Sequence, residues 1–201
     1  MLNILRQLHE IVVGFSNIGG IQMCFTEACA ELALNRIVNF VEVEHEGQMY
    51  GSLPYTAHLF DVERKVLSDC RDLPYHELFV LRAVALLHDI VEDTNITNSQ
   101  LSNKLTEMLD DDVPLELMNK IITSVCAITK VSYQTYEHYI DTVLKDEYAC
   151  LVKYSDAESN LHATYKDINH QRFYQRKAKY ENVMLTLAPH CVKYLTELTV
   201  G

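Results

Sequence analysis

The stretch Leu78-Phe79-Val80-Leu81-Arg82-Ala83-Val84-Ala85-Leu86-Leu87-His88-Asp89-Ile90-Val91-Glu92-Asp93-Thr94 decides the fold. Up to Leu87 it is apolar nearly all round, the pattern of a helix buried in the middle of a bundle rather than of an amphipathic surface helix. His88 and Asp89 close that run and set a borderline nitrogen ligand beside a hard oxygen ligand. At helical spacing Glu92 falls four residues after His88 and Asp93 four after Asp89, so each acid shares a face with one member of the pair. Four such groups after a hydrophobic run suit a divalent cation and fit an apolar core poorly. Acids at a helix C-terminus also oppose the helix dipole, which counts against their being only a solvated helix end.

Helical periodicity extends outward on both sides of this stretch. Gly and Pro are sparse, at 6 and 4 of 201 residues, so few positions force the chain out of a helix. Leu5, Leu8, Val12 and Phe15 form an amphipathic stripe ended by Gly19-Gly20, and this N-terminal helix is a candidate homo-oligomer contact. A helix fits Thr26–Val43, Gly47–Pro54 is a loop, and Tyr55–Ser68 is helical with His58 in its first turn. The central helix is expected over His76–Ile90 and is broken by Asp93-Thr94-Asn95. Thr97 is an N-cap for Asn98–Leu109, Asp110-Asp111-Asp112 is a solvated acidic loop, and Pro114 opens a helix reaching Thr129. Further helices fit Gln134–Lys145, Glu147–Thr164 and Gln171–Thr186, with a short last one after Pro189. The expected fold is an all-α bundle of roughly eight to ten helices, in one domain spanning residues 1–201.

Composition narrows the function. A hydrophobic content of 48% over 201 residues supports one well-cored domain. A formal charge of -11 argues against non-specific nucleic-acid binding, which needs a basic surface to displace counterions. An anionic small molecule would instead need a metal or a few placed cations. Cys24, Cys29, Cys70, Cys126, Cys150 and Cys191 form no CxxC pair, so they are read as reduced and mostly buried thiols rather than zinc ligands. No run reaches membrane-span length and no signal-peptide pattern opens the chain, so the expected setting is cytoplasmic, without a membrane partner.

Two further residues are placed to join His88 and Asp89. His58 follows Pro54-Tyr55-Thr56-Ala57 at a helix start, where imidazole can project from the end of the bundle. Asp156, in Leu151-Val152-Lys153-Tyr154-Ser155-Asp156-Ala157-Glu158-Ser159-Asn160, is an acid carried inward by an apolar helix, with Asn160 one turn later. Two imidazoles and two carboxylates suit octahedral Mn²⁺ or Fe²⁺, with Mg²⁺ and Zn²⁺ as alternatives.

The order H…HD…D, with His88-Asp89-Ile90-Val91-Glu92-Asp93-Thr94 as its core, resembles the HD-domain metal-dependent phosphohydrolases. It is most similar to the hydrolase domain of RelA/SpoT-type alarmone enzymes and their small single-domain relatives. The likeness covers about residues 44–160. It includes His45-Glu46-Gly47-Gln48, Pro54-Tyr55-Thr56-Ala57-His58, Ala127-Ile128-Thr129-Lys130, Tyr136-Glu137-His138-Tyr139-Ile140 and Val152-Lys153-Tyr154-Ser155-Asp156 with Asn160. The resemblance implies an HD-domain helical bundle in which His58, His88, Asp89 and Asp156 bind the metal, usually Mn²⁺. It implies that Glu92 and Asp93 serve the attacking water and that Asn160 contacts the nucleotide. The reaction it implies removes pyrophosphate from the ribose 3′ position of guanosine tetra- or pentaphosphate. Lys153, one turn before Asp156, is a candidate phosphate contact, with a solvated lysine about equally expected, and Tyr50 is a candidate for stacking on the base.

Three departures bear on the substrate. Leu59 stands where the family commonly has proline, which shapes the helix entry rather than the chemistry. The loop Met49-Tyr50-Gly51-Ser52-Leu53 lacks the basic residues usual there, and Asp156-Ala157-Glu158-Ser159-Asn160 lacks the arginine of Asp-Arg-x-x-Asn. The alternatives are therefore an HD-type phosphatase for a nucleoside monophosphate, or a catalytically inert domain that binds a nucleotide or a protein partner. For His45 the expected role is packing or capping at a helix end. Tyr133, Tyr136 and Tyr139 are expected in core or partner packing. The cluster Lys166, Arg172, Arg176, Lys177 and Lys179 is expected to be a solvated face, with phosphate steering or a subunit contact as the minority view.

Overall fold

Every side chain from Phe79 to Leu87 is buried except that of Arg82, and the helices pack around that stretch. The computed structural model describes residues 15–18, 21–109 and 112–200. The strands β1 (Phe15–Ile18) and β2 (Ile21–Cys24) pair antiparallel, Phe15 opposite Cys24. Helix α1 (Glu27–Glu44) follows, then the two-residue strands β3 (Met49–Tyr50) and β4 (Leu53–Pro54), then α2 (Thr56–Asp69), α3 (Tyr75–Leu87) and the single turn α4 (Ile90–Asp93). The chain continues through α5 (Asn98–Leu109), α6 (Leu115–Ile128), α7 (Tyr136–Val143), α8 (Glu147–Lys166) and α9 (Phe173–Val200). Among the described residues the only strands lie in these two hairpins, so the all-α expectation holds.

Helix α3 packs on α1, α2, α6 and α8, which is why its sequence has no polar face. Arg82 is its exception and is satisfied where it leaves the core: Nε donates to Glu63 at 2.5 Å and Nη1 donates to Glu31. Shortening one of the fully buried side chains here, such as Leu87, removes contacts on several sides and costs about 2–5 kcal/mol.

Several expected boundaries hold. Thr97 caps α5 through a reciprocal pair: its hydroxyl accepts from the Gln100 N–H at 3.3 Å, and the Gln100 side chain accepts from the Thr97 N–H at 2.9 Å. Thr26 caps α1 by accepting from the Cys29 N–H. Others move. The loop at Gly47–Pro54 contains the β3–β4 hairpin, turned at Gly51, whose φ of 63° is a conformation that side chains with a Cβ rarely adopt. The helix expected to break at Pro189 runs unbroken from Phe173 to Val200. Proline lacks the N–H that would close its turn, but Val183, Leu187 and Cys191 bury that face of α9 against α8 and outweigh the loss.

Most of the Leu5–Phe15 stripe lies outside the described residues, and Phe15 itself opens a strand. Asp110 and Asp111 also lie outside them, while Asp112 pairs with Arg36 at 2.5 Å. Cys70, Cys150 and Cys191 are buried free thiols, as expected, whereas Cys126 is exposed. Among the described residues, no helix is long and apolar enough to cross a membrane.

Candidate metal centre

The central helix stops at Leu87, two residues before the HD pair ends, because His88 turns its own ring back on it. A carbonyl can only accept, so the 2.7 Å contact between His88 Nδ1 and the Ala85 carbonyl is an Nδ1–H donation. It satisfies a helix-end carbonyl and fixes the tautomer, leaving Nε2 with the lone pair in the neutral ring. Asp89 then caps α4, and the Asp93 N–H donates to its carbonyl at 2.9 Å. The helical spacing expected between Asp89 and Asp93 thus survives the break after Leu87.

His58 is presented by the first turn of α2, its N–H bonded to the Tyr55 carbonyl, and is buried. Ser159 donates to Asp61 at 2.5 Å, so its oxygen is free to accept from His58 Nδ1, 3.4 Å away. That contact favours a lone pair on His58 Nε2 as well. Asp156 comes from the buried face of α8. The ligand atoms of His58, His88 and Asp156 all lie within 4.8 Å of one another. Asp156 Oδ1 is 3.2 Å from His58 Nε2 and 3.8 Å from His88 Nε2; Asp89 Oδ2 is 3.0 Å from His88 Nε2 and 3.7 Å from His58 Nε2.

The donor set fits a divalent cation. His88 Nε2 is buried and has no aligned hydrogen-bond partner among the described residues, although Asp89 Oδ2 lies 3.0 Å away. Such a buried orphan is costly unless something binds there. The charges give the same indication. Burial alone would push the His88 imidazolium down, but the carboxylates of Asp89 and Asp156 raise it to about 9. Burial would push Asp89 up, yet His88 holds it down at about 2. Asp156 is likewise held well below the carboxylate range, against burial, by Lys153, His58 and His88. Two carboxylates this close require positive charge between them, which a cation would supply in place of the ring proton.

A cavity of about 430 Å³ opens beside the cluster and brings together seven of the nine residues singled out in the sequence: Tyr50, His58, Asp89, Glu92, Lys153, Asp156 and Asn160. His88, which is buried, and Asp93 are not among the lining residues. Lys153 is committed to Asp156, with Nζ 2.8 Å from Oδ2 and over the Tyr139 ring. Asn160 donates to Asp156 Oδ1 at 2.5 Å and to its carbonyl, so it orients that carboxylate directly. Tyr50 donates to Asn160 at 2.9 Å, and its ring stacks on His58 with centroids 4.6 Å apart, so one face is already occupied. Glu92 accepts from the Lys130 N–H at 2.6 Å; partial burial of its carboxyl pushes it above its ordinary value, only partly opposed by that bond.

Sequence reasoning missed several members. Tyr55, quoted only as part of a motif, lies three residues before His58 and its hydroxyl reaches both Asp89 and Asp93; that spacing was the available signal. The Ser159–Asp61 pair behind His58 joins two helices and left no local signal. From α9, Lys179 and Tyr180 line the cavity; Lys179 is also exposed, as the basic cluster is expected to be. Lys177, two residues earlier, is spent on Glu181. Of the tyrosine stripe, Tyr139 is core, Tyr136 lines the cavity and Tyr133 is exposed. His45 is buried at the end of α1, stacked on Tyr55, in the packing role expected of it.

Among solved structures, the chain matches a metazoan protein described as an ortholog of SpoT that hydrolyzes ppGpp and plays a role in starvation responses. The match has 19% sequence identity and a TM-score of 0.52, and covers 83% of this chain and 86% of that one. What the two share is the fold, and it is the helical bundle that the HD-type motifs imply. No family model and no curated protein sequence matches the chain.

Proposed function

We propose that the protein is a metal-dependent phosphohydrolase acting on a phosphorylated nucleotide, with the 3′-pyrophosphate of a guanosine polyphosphate as its substrate group. The observation that carries this is the orphaned, buried His88 Nε2 facing His58, Asp89 and Asp156 at the floor of a cavity. His58, His88, Asp89 and Asp156 would hold a divalent ion, with Mn²⁺ as the expected metal. Such an ion, when bound, makes water a better nucleophile and polarises a phosphoryl oxygen. Glu92, its carboxyl raised by partial burial yet pinned by Lys130, is suited to accept the proton of the attacking water. Asp93, one residue on and tied through Tyr55 to Asp89, would orient that water.

Charge elsewhere in the cavity lining supports an anionic substrate. Lys130 and Lys179 line the cavity, and among the described residues neither has a carboxylate partner, although the protein carries 28 acids against 17 Lys and Arg. Cations placed there would neutralise charge that develops in phosphoryl transfer. Lys153 acts indirectly, holding Asp156, and Asn160 does the same from the other side.

The test is a nucleotide panel assayed with purified, Mn²⁺-loaded protein. Release of pyrophosphate from guanosine tetraphosphate, absent in Asp89→Asn, is the expected result; no release above that control sinks the substrate. A nucleoside monophosphate substrate is the second reading, favoured by the β3–β4 hairpin, which presents Met49, Tyr50 and Leu53 and no cation. Orthophosphate as the product would support it.

A further inference from the structure

We propose that Tyr55 is a positioning residue whose hydroxyl couples the cation-facing oxygen of Asp89 to the carboxylate of Asp93. The proposal rests on the hydrolase function above. Its hydroxyl is 2.7 Å from Asp89 Oδ2, the oxygen that faces both His58 and His88, and it also bonds Asp93 Oδ2. One phenolic proton is therefore shared between the residue that would hold the metal and the residue that would handle the water.

The surroundings hold the ring too firmly for this to be incidental. Its face lies parallel to His45, with centroids 4.8 Å apart and 9° between planes, and it meets Tyr50 and His58 edge-on. The Tyr55 N–H donates to the Gln48 carbonyl at 3.0 Å. The Gln48 side chain accepts from His45 Nδ1 and donates to the Asp93 carbonyl, each at 2.7 Å. Asp93 is thus anchored twice from the same segment, by its backbone through Gln48 and by its carboxylate through Tyr55. It needs both anchors, because α4 is a single turn and Asp93 at its end is exposed. A water-orienting group must sit within a fraction of an ångström of its working position, and an exposed side chain on one turn of helix does not do so unaided.

Tyr55→Phe tests this, since it keeps the ring and its stack on His45 and removes only the hydroxyl. Loss of a group that orients a metal ligand typically costs about 10–100-fold in metal affinity or activity. Expected for Tyr55→Phe are weaker Mn²⁺ binding by titration calorimetry, a kcat lowered within that range, an unchanged KM and an unchanged melting temperature. With Mn²⁺ saturating, so that the Asp89 branch no longer limits, Tyr55 acts on turnover through Asp93, and Asp93→Asn with Tyr55→Phe should be no slower than Asp93→Asn alone. A Tyr55→Phe protein with wild-type Mn²⁺ affinity and kcat overturns the proposal. So does one that only melts lower, or a double variant whose losses multiply. Wild-type protein that neither binds Mn²⁺ nor turns over any nucleotide removes the hydrolase function itself and this role with it. Wild-type activity alongside an unaffected Tyr55→Phe removes the role of Tyr55 alone.

Discussion

The two walls of the cavity are built in different ways. The floor, His58, His88, Asp89 and Asp156, is mostly buried, and each proposed ligand is backed by another group: Ala85 behind His88, Ser159 behind His58, Tyr55 behind Asp89, Asn160 and Lys153 behind Asp156. The rest of the lining, here the facing wall, includes exposed lysines from the turn after α6 and from α9, which among the described residues have no carboxylate partner. Groups that must hold a small hard ion need fixed geometry, since coordination tolerates errors of only about 0.2 Å. Groups that receive flexible phosphates can be mobile.

The contrast can be broken most severely at the floor. Asp89→Asn keeps the shape of the side chain but halves the carboxylate charge that faces the two histidines; Mn²⁺ binding by calorimetry and nucleotide turnover should both be lost. Glu92→Gln should separate binding from chemistry. Its kcat should fall about 10²–10⁴-fold, the range for a removed general base, with Mn²⁺ affinity retained. The pH profile carries the same signature. Glu92 must be deprotonated to accept a proton and its carboxyl is pushed up by burial, so wild-type activity should be lost as pH falls through a value above the ordinary glutamate range. Glu92→Gln should lack that acid limb. A Glu92→Gln profile that keeps the acid limb would remove Glu92 as the base.

A smaller effect is expected one layer behind the ligands. Ser159→Ala removes the acceptor for His58 Nδ1 and the donor to Asp61, whose carboxyl the same bond helps to hold down against burial. About tenfold weaker Mn²⁺ binding, the low end for such partners, is expected with little change in melting. Unchanged affinity would mean that His58 is oriented by its stack on Tyr50 instead.

The same contrast governs what the sequence made legible. His88, Asp89 and Glu92 lie in one run, and Asp156 and Asn160 are one turn apart, so helical periodicity alone brings each group together. The buried α3 announced itself because a helix contacted on several sides cannot carry a polar face. By contrast, Lys179 reaches the cavity only because α9 packs along α8, and Lys177, almost adjacent to it, points to Glu181 instead. No local pattern separates those two lysines. Pro189 misled for a related reason: its local cost is readable, while the tertiary burial of Leu187 and Cys191 that outweighs it is not. Ser159 and Asp61 are 98 residues apart in the chain and unremarkable singly.

The smallest effect sharpens the comparison most. Lys179 is exposed and lines the cavity, and burial on one side together with Lys153 lowers its pKa. An exposed cation contributes on the order of 1 kcal/mol to holding an anion, which corresponds to a severalfold change in KM. Lys179→Gln should therefore raise KM severalfold for a polyphosphorylated nucleotide and leave kcat and Mn²⁺ affinity unchanged. The difference from wild type should shrink as ionic strength rises, because exposed charges are screened beyond roughly 8 Å in physiological salt. If Lys179→Gln lowers kcat instead, the facing wall takes part in the transition state, and the division between a rigid chemical floor and a steering wall fails.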